Sequence, residues 1–537
     1  MNHILTLETT GGLKNLSLQI EPEALLILKS VDHFLNAGQI EAYLVGGFVR
    51  DMLTGRPTAD IDVAVAEDVL KIAPEMADAL GGKFVLLDEA NRIARIVLPR
   101  KDIIPSPVLG KSGDRLNSPL PGGETGELKP WYVDLSTFDG TIHQDLARRD
   151  FTINAMAIRL KTFLENPAAF QLIDPFAGQE DLSRKAVKAV NDSVFEADPA
   201  RLLRAVRLAA ELDFRITART EALIRRYRSL IGRVAGERIK DELLRILAIP
   251  EAGRFVCYLD NLELLTAVIP EMESCRGVEQ PKEHHWDVLN HSLKTVQTVD
   301  FLLRQGNWEH VPADVLDAVP WSDKLSRHFA AKVGNISNHA VLIKLAALLH
   351  DIAKPETRIT VDERVRFYGH AEQGAALAAG ILERLRFSNK EIKLVELMVR
   401  YHLRPTQMGR EGMPTQRAIY RYFRDTGSAG IDIIFLSLAD HLAARGPDLD
   451  REQWKWHTEQ ANYILTECSR KESLISPPKL IDGHDLMDLF GLKPGPQIRE
   501  ILEAVKESQA AGELSTREAA LSYVKNRLLY RERNIKE

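Results

Sequence analysis

The stretch LVGGFVRDMLTGRPTADIDVAVAED, from Leu44 to Asp68, decides the fold of the N-terminal part of the chain. Its second half contains Asp60 and Asp62 in an apolar run that predicts a β-strand. Because side chains alternate along a strand, both carboxylates point to the same face. They repel each other unless a cation lies between them. Mg²⁺ prefers such oxygen ligands, together with substrate phosphates.

The residues around this strand favour a phosphate-binding site over the alternative, a solvent-facing pair of aspartates near a turn. Gly46 and Gly47 allow the backbone to approach a ligand closely. Arg50 is placed to meet a phosphate group. Asp134, in WYVDLSTFDG on a later predicted strand, is a candidate third carboxylate. We therefore predict a magnesium and phosphate site here.

The pattern of apolar residues predicts an N-terminal sheet followed by helices. A helix is predicted over Glu23–Leu35, and helical periodicity extends from about Leu146 to the end. Pro99–Pro130 is rich in Pro, Gly, Ser and charge, which predicts a long loop or insertion. The predicted strands are 42–45, 60–65, 83–87, 95–98 and 132–137.

Composition predicts a globular enzyme or binding protein of three or four domains. The chain has 537 residues, of which 45% are hydrophobic and 27% are charged. A net charge of −6 argues against a general nucleic-acid coat protein. The three cysteines form no disulfide framework or CxxC metal site, and we expect no membrane-spanning run and no secretion signal. A cytoplasmic location is the default expectation.

A second group of chemically active residues lies in the helical half. A histidine, an adjacent His-Asp pair and a later aspartate form the signature of HD metal hydrolases. Imidazole and carboxylate groups from separate helices can bind one ion, which makes a nucleophile of its water. His370 and His402 are compatible with a second ion, and Mn²⁺, Ni²⁺, Co²⁺ or Zn²⁺ is expected. The predicted HD ligands are His291, His350, Asp351, His370, His402 and Asp440.

Several motifs together resemble the class II tRNA nucleotidyltransferases, which include bacterial CCA-adding enzymes and bacterial poly(A) polymerases. Besides LVGGFVRD and DIDV, they are RRDFTINAMA from Arg148, EADPARLLRAVRLAAELDF from Glu196 and RVAGERIKDELLRIL from Arg233. They occur in the order and spacing of the family. One branch of the family carries an HD domain with phosphohydrolase activity.

The resemblance implies specific roles for these residues. Asp60, Asp62 and Asp134 are the catalytic carboxylates, and the first two hold two Mg²⁺ ions. Asp198 and Arg201 match the positions that read the nucleobase edge, for which one carboxylate and one guanidinium are suited. The implied nucleotide-binding residues are Gly46, Gly47, Arg50, Arg149, Asp150, Asn154, Asp198, Arg201, Arg204 and Arg207.

The resemblance also implies a fold, an order of domains and a set of partners. The fold class is α+β, with a polymerase-β-like nucleotidyltransferase head that contains a mixed sheet, and all-helical regions after it. The expected partners are a tRNA or other RNA 3′ end, CTP and ATP. The loop at 99–130 falls where the family keeps a mobile element that influences nucleotide choice. The expected domains are a head at 23–160, a helical neck at 161–275, an HD domain at 276–475 and an RNA-binding tail at 476–537.

Three readings of function remain open at this level. The first is addition of CCA, or of its terminal A, to tRNA. The second is A-tailing of RNA by a poly(A) polymerase. The third is an HD phosphohydrolase whose N-terminal half only binds RNA, against which the intact Asp60 and Asp62 pair argues. A scaffold without chemistry would leave two metal-binding groups unexplained. The oligomeric state is left open.

Overall fold

The computed structural model describes residues 19–100, 130–167, 170–409, 412–470 and 479–534. It divides into two compact units, Met1–Leu230 and Ile231–Glu537. Most of the predicted loop at 99–130 lies outside the described residues. The predicted tail is described only from residue 479 onward.

The first unit is built on a mixed seven-stranded sheet with the order β3-β4-β5-β2-β1-β6-β7. The neighbours β2 and β5 are parallel, and the other neighbouring strands are antiparallel. A short parallel pair, β8 and β9, lies beyond the sheet. The strands of the unit are β1 Ala42–Val45, β2 Asp60–Val65, β3 Lys83–Asp88, β4 Ile93–Leu98, β5 Trp131–Thr137, β6 Ala157–Arg159, β7 Leu172–Ile173, β8 Ala186–Val187 and β9 Arg215–Ile216.

The helices of the first unit cover and extend this sheet. The first of them, α1, starts with a proline at its first position, which suits the fixed φ of that residue. The helices are α1 Pro22–Ala37, α2 Gly46–Thr54, α3 Val69–Leu80, α4 Ile142–Ala147, α5 Leu160–Glu165, α6 Gly178–Ser183, α7 Val194–Ala197, α8 Arg201–Leu212 and α9 Ala218–Tyr227.

The parallel pairing of β2 with β5 sets the geometry of the candidate site. Asp62 lies opposite Asp134, and Ile61 lies opposite Val133. Ile61 and Val133 are fully buried, so the opposite face of both strands packs into the core. The two carboxylates are thus placed together by strand register and not by loop conformation.

The ends of the segment between β4 and β5 are held side by side in the sheet. Leu98, the last residue of β4, pairs with Trp131, the first residue of β5. Both side chains are buried, and the Trp131 indole N–H donates a hydrogen bond to Glu23 at 2.9 Å. The strands on either side of this long connection therefore have one fixed register.

Within its described residues, the second unit is helical apart from one hairpin, β10 Arg358–Val361 with β11 Arg364–Phe367. The helices in its centre are α13, α15, α17 and α20. The helices of the unit are α10 Gly236–Leu247, α11 Ala252–Asn261, α12 Leu264–Val268, α13 Val288–Leu302, α14 Asp323–Ala330, α15 His339–Leu349, α16 His370–Arg384, α17 Asn389–Tyr401, α18 Arg404–Met408, α19 Gln416–Thr426, α20 Gly430–Arg445, α21 Arg451–Arg470, α22 Gly483–Phe490, α23 Pro496–Ala510 and α24 Arg517–Asn534.

The prediction of continuous helix after Leu146 was wrong in detail. Strands β6 and β7 add to the edge of the main sheet, and β8 to β11 form two further pairs. Most of these strands have only two or three residues, which is too short to produce a visible alternation in the sequence. The predicted α+β class, with a mixed sheet first and helices after it, is confirmed.

One segment of the described chain, Gln416–Asp448, is long and apolar enough to pass a test for membrane spans. The sequence analysis had found no such run. In the structure it is two helices, α19 and α20, separated by a turn at Gly427, and 72% of its most apolar window is buried inside the protein. Its composition is explained by packing in the interior of the helical unit.

Candidate functional site

The first candidate site lies where β2 meets the start of α2. Asp62 Oδ2 accepts a hydrogen bond from the Phe48 backbone N–H at 3.1 Å, so a carboxylate faces the helix N-terminus. Gly46 has a φ of +65°, and a Cβ there would lie 3.0 Å from both Asp62 Oδ2 and Arg149 Nη1. A side chain at this position would press on both groups and would adopt a backbone conformation that favours glycine.

Asp62 has an unusual environment for a carboxylate. Burial, followed by the charge of Asp134, raises the pKa of Asp62 to about 6, although Arg149 and the Phe48 N–H act in the opposite direction. Asp60, two residues away on the same strand, has a side chain that is 59% exposed. One carboxylate is therefore shielded and the other is open to solvent, on the same face of β2. A divalent cation would relieve the repulsion around Asp62.

Asp134 lies beside Asp62 but is already paired with an arginine. Arg95 donates two hydrogen bonds to the Asp134 carboxylate, both at 2.7 Å, and its Nη2 lies 3.9 Å from Asp60 Oδ1. Arg95 was not among the predicted site residues. The sequence feature that could have indicated Arg95 is a basic residue in the centre of the apolar strand IARIVL.

Arg50 is fixed by a buried network next to Gly47. Its guanidinium donates hydrogen bonds to Asp51 at 2.9 Å and to Asn154 Oδ1 at 2.8 Å. The Asn154 amide donates to Asp150 at 3.1 Å. Burial raises the pKa of Asp51 even though Arg50 pairs with it. The structure thus brings Arg50 together with two predicted residues, Asp150 and Asn154, that lie about one hundred positions further along the sequence.

Arg149 and its neighbour Arg148 share one buried carboxylate. Asp145 accepts from Arg149 Nε at 3.0 Å and from Arg148 Nη2 at 2.7 Å. Asp145 lies in the short helix α4, which starts with a capping box at Thr141. Asp145 was not predicted, although it belongs to the same motif region. It orients Arg149 toward Gly46 and Asp62.

The predicted base-reading residues lie at the start of α8. Asp198 Oδ1 accepts the Ala200 N–H at 3.2 Å, and Asp198 Oδ2 lies 3.8 Å from Arg201 Nε. Arg201 also donates to the Arg148 carbonyl at 3.0 Å, which connects α8 to the RRD motif.

The next two arginines of α8 differ in their contacts. Arg204 lies 3.3 Å from Asp150, whose pKa it lowers in spite of burial. Arg207 pairs with Glu211 on its own helix at 2.7 Å. Arg204 is therefore tied to the predicted nucleotide-binding motif, whereas the ion pair of Arg207 lies within α8.

The second candidate site is formed by six side chains of the helical unit, three within α13, α16 and α20 and three directly after α15 and α17. His291 Nε2 lies 3.2 Å from His350 Nε2 and 3.0 Å from Asp440 Oδ1, and His350 Nε2 lies 3.1 Å from Asp351 Oδ2. His370 and His402 approach Asp351 Oδ1 at 3.4 and 3.9 Å. All six predicted HD residues therefore meet at one place.

The imidazole rings are oriented as in metal sites. Nδ1 of His350, His370 and His402 each lies 2.7 to 2.8 Å from a carbonyl oxygen three residues earlier in the chain. When Nδ1 donates to a carbonyl, Nε2 presents its lone pair, and metal-ligating histidines are held in this way. In each ring Nε2 faces the carboxylate cluster.

Unsatisfied buried atoms also indicate that this cluster suits a cation. Asp351 Oδ1 and His370 Nε2 make no hydrogen bond among the described residues, although both are buried. Buried polar atoms without partners are costly. Burial lowers the pKa of His402 to about 3, so this ring is neutral and available as a ligand. The donor set fits one or two divalent ions.

Two further residues, Lys354 and His284, contact members of the HD cluster. Lys354 Nζ lies 2.6 Å from Asp351 Oδ2 and donates to Gln280 Oε1 at 2.6 Å. The His284 ring packs edge-on against His291 with a centroid distance of 5.4 Å, and burial lowers the pKa of His284 to about 3.

Comparison with known families and proteins decides the identity. The poly A polymerase head domain matches residues 42–188, the probable RNA- and SrmB-binding site of polymerase A matches 213–276, and the HD domain matches 324–445. The A-adding tRNA nucleotidyltransferase of Deinococcus radiodurans is 30% identical over 493 residues, which cover 90% of this chain and 94% of that protein. The chain belongs to the tRNA nucleotidyltransferase family.

Other tRNA nucleotidyltransferases support this assignment. The CC-adding tRNA nucleotidyltransferase of Thermus thermophilus is 31% identical over 496 residues, with 90% of this chain and 93% of that protein covered. The family consists of enzymes, so the resemblance seen in the motifs and the expectation of catalysis are both confirmed.

Solved structures agree on the fold. The CCA-adding enzyme of Thermotoga maritima in complex with tRNA matches with a TM-score of 0.56 at 22% identity, covering 95% of this chain and 96% of that one. A CCA-adding enzyme with ATP matches with a TM-score of 0.58 at 20% identity, covering 94% of both chains. The tRNA nucleotidyltransferase fold thus extends over nearly the whole chain.

Proposed function

We propose that this enzyme adds nucleotides to the 3′ end of tRNA without a template, using CTP and ATP to build CCA or its terminal A. The observation that carries the proposal is the position of Asp60 and Asp62 on one face of β2, beside the glycine-started N-terminus of α2. The relatives that match along the whole chain carry names of the same reaction class. The motifs shared with bacterial poly(A) polymerases make A-tailing of other RNA the alternative.

In the proposed mechanism, Asp60 and Asp62 would hold two Mg²⁺ ions, and these ions would supply activation of the RNA 3′-hydroxyl and charge neutralisation of the triphosphate leaving group. The shielding of Asp62 and the charge of Asp134 suit such a site, because both favour a bound cation. Asp134 is the proposed third carboxylate, with Arg95 sharing its charge. Arg95 would keep Asp134 in place while the ions are held mainly by β2.

The nucleotide would lie along the segment from α2 to α8. Gly46 and Gly47 allow the triphosphate to approach the N-terminus of α2, where backbone N–H groups favour an anion. Arg50 and Arg149 are the proposed phosphate contacts, each held by a carboxylate. The remaining proposed ligands of the ribose, phosphates and base are Asp150, Asn154, Asp198, Arg201, Arg204 and Arg207.

The base would be selected by Asp198 and Arg201. These side chains are 25% and 17% exposed and lie at the start of α8, close enough to act together. A carboxylate accepts and a guanidinium donates, so the pair can match the edges of cytosine and adenine. The hydrogen bond from Arg201 to the Arg148 carbonyl would hold this pair in line with the phosphate contacts.

The decisive experiment offers three tRNA substrates, ending at the discriminator base, at CC and at CCA. CTP and ATP are supplied singly and together. Full CCA addition requires that the first substrate gains three nucleotides when both triphosphates are present. Extension of a tRNA already ending in CCA by many adenosines would support the poly(A) polymerase reading instead.

The same experiment separates complete from partial CCA addition. Four relatives that match over 90% or more of this chain are named A-adding or CC-adding, whereas several named multifunctional CCA protein match over 68% of it. Partial addition is therefore the second candidate. An A-adding enzyme would extend only the CC substrate, and a CC-adding enzyme would stop after two cytidines.

We infer a second activity, metal-dependent hydrolysis of a phosphate ester, for the HD cluster. The Nε2 atoms that face the carboxylate cluster, the neutral ring of His402 and the unsatisfied Asp351 Oδ1 support a site for Mn²⁺, Ni²⁺, Co²⁺ or Zn²⁺. A 2′,3′-cyclic phosphate is the first substrate to test with each metal. Loss of its hydrolysis in Asp351→Ala, and on chelation, is expected. Absence of hydrolysis by wild type with all four metals would contradict this activity.

The domain ranges follow from these roles. We propose a nucleotidyltransferase head at 23–160, a neck at 161–275 for base and RNA contacts, an HD domain at 276–475 and an RNA-binding tail at 476–537. We place the protein in the cytoplasm, since tRNA is its proposed substrate. Limited proteolysis would test the ranges, and cuts concentrated away from these boundaries would contradict them.

A further inference from the structure

A third cluster of metal-ligating side chains lies in the helical unit, and neither the motifs nor the proposed function use it. His339 Nδ1 lies 3.0 and 2.9 Å from the two oxygens of Asp432, and His328 Nε2 lies 3.1 Å from Asp432 Oδ2. The two imidazole rings are 4.2 Å apart between centroids. The three ligand atoms thus converge on one point.

The charge of Asp432 needs a partner at this position. Its side chain is fully buried, and within the described parts of the chain no lysine or arginine forms an ion pair with it. A buried carboxylate is stable only if it is paired or coordinates a metal. The two imidazoles are the available groups, and they supply either a proton or a shared metal ion.

The surroundings make this cluster a low-dielectric site. Phe329 follows His328 on α14, and Phe435 lies one turn after Asp432 on α20. Their rings pack edge-on with a centroid distance of 4.9 Å, and Trp321 stacks on Phe329 at 5.9 Å. Electrostatic attraction between a cation and Asp432 is strong in such an environment.

We propose that His328, His339 and Asp432 form a mononuclear site for a divalent transition metal, separate from the HD cluster. Two imidazoles and one carboxylate suit Zn²⁺, Co²⁺ or Ni²⁺, with the fourth position open to water. The distances of 2.9 and 3.1 Å from Asp432 to the two histidines are slightly shorter than the edge, about 3.3 Å, of a tetrahedron with metal–ligand bonds of about 2.0 Å. A mainly structural role follows from its place in the fold.

The proposed site connects the beginnings of two helices that carry HD ligands further along. His339 is the first residue of α15, which leads directly to His350, and Asp432 is in the first turn of α20, which carries Asp440. At about 1.5 Å per residue, the two ligands of each helix are about 16 and about 12 Å apart. The metal would therefore fix α15 and α20 relative to each other at the end away from the HD cluster.

Metal analysis of four full-length proteins tests the proposal: wild type, His339→Gln, Asp351→Ala and the double variant. Each is loaded with Co²⁺, desalted and analysed for bound metal and visible cobalt absorption. We expect His339→Gln to bind one equivalent of metal less than wild type. We expect the double variant to bind one equivalent less than Asp351→Ala. His484→Gln, which changes an exposed histidine of the same unit, should lose none.

Each protein with His339→Gln is compared with a parent that has the same residue at position 351. The measured loss of metal therefore does not depend on metal bound at the HD cluster. If His339→Gln holds the same amount of metal as its parent in both backgrounds, the cluster is a hydrogen-bonded imidazole–carboxylate group and the proposal is wrong. His328→Gln serves as a second variant if His339→Gln does not fold. Added Co²⁺ should raise the melting temperature of Asp351→Ala, and this rise should be absent when either histidine is replaced.

Discussion

At the scale of single residues, the transferase site is dominated by the environment of one carboxylate. Asp62 is shielded from water, lies opposite Asp134 and is prevented from moving by the Phe48 N–H. This arrangement destabilises the charged form when no metal is present. In the metal-bound enzyme the loss of stability is small, because a cation compensates both the burial of the Asp62 charge and its repulsion by Asp134.

Replacing Asp62 with Asn should stabilise the metal-free protein at neutral pH. The pKa of Asp62 is raised from 3.8 to about 6 in the folded state, so this state binds more protons than the unfolded state between these values. Wild type therefore loses stability as pH rises through that range, by up to about 3 kcal/mol, and the Asn variant does not. Thermal unfolding with a chelator, from about pH 4 to about pH 7, measures the difference.

The same substitution should abolish nucleotide addition while tRNA binding survives. A variant that is less stable than wild type at neutral pH would show that the charge of Asp62 is already compensated without metal. Near-normal addition by Asp62→Asn would remove the support for the transferase mechanism.

Arg201→Ala should weaken discrimination among nucleoside triphosphates more than it weakens their binding. A bidentate contact to a base edge contributes about 1–3 kcal/mol of discrimination. Competition assays with all four triphosphates measure this, and Arg219→Ala is the matched control, because Arg219 is 71% exposed and pairs with Asp192. An Arg201→Ala enzyme that selects triphosphates as wild type does would contradict the base-reading role.

At the scale of elements, the helical unit depends on one buried ion pair. Lys344 on α15 lies 2.7 Å from Asp300 on α13, and it also donates to the carbonyls of Leu247 and Ile249 at 3.0 and 3.2 Å. Asp300 in turn accepts the Gly253 N–H at 2.7 Å. One lysine thus joins α13 and α15 to the chain between α10 and α11.

Lys344→Met should destabilise this unit by about 3–5 kcal/mol, because it leaves the buried charge of Asp300 without a partner. The double variant Lys344→Met/Asp300→Asn should recover part of that loss. Denaturant unfolding followed by tryptophan fluorescence measures it, since five of the six tryptophans lie after residue 231. Lys393→Met, which removes an exposed pair with Glu396, should change stability by less than about 1 kcal/mol. Equal effects of both lysine variants would contradict this account.

Elements with a clear pattern in the sequence were predicted correctly. Residues whose role depends on contacts with distant parts of the chain were missed. Strands β1 and β2, of four and six residues, were predicted with their observed limits, because each is an apolar run with a distinct start and end in the sequence. The six HD residues were found because His350 and Asp351 are adjacent in the sequence, directly after an apolar helix. Arg95 was missed because its partner is on another strand. The cluster of His328, His339 and Asp432 was missed because its members are spread over about one hundred residues with no diagnostic spacing.

At the scale of the whole molecule, the two metal-binding groups lie in separate compact units. Asp60 and Asp62 belong to the sheet of the first unit, and every predicted HD ligand belongs to the second unit. Neither group uses a side chain of the other. This separation predicts that the two activities can be removed independently.

Asp351→Ala should therefore retain nucleotide addition in Mg²⁺, and Asp62→Ala should retain hydrolysis of a cyclic phosphate. Both assays are run on one preparation of each variant, with circular dichroism to verify folding. A folded Asp351→Ala protein that is inactive in both assays would show that the two units are coupled. A wild type that is active only in addition would leave the transferase proposal intact.

The pairing of Leu98 with Trp131 has a consequence for how this enzyme can change over evolutionary time. Because both ends of the connection between β4 and β5 are anchored to adjacent positions, insertions and deletions within it leave the register of Asp134 against Asp62 unaltered. The entropy of closing such a connection grows slowly, by about 0.6 kcal/mol for each doubling of its length. Lineages can thus vary this segment freely, and with it any contacts it makes to incoming nucleotides, without rebuilding the carboxylate geometry on which phosphoryl transfer depends.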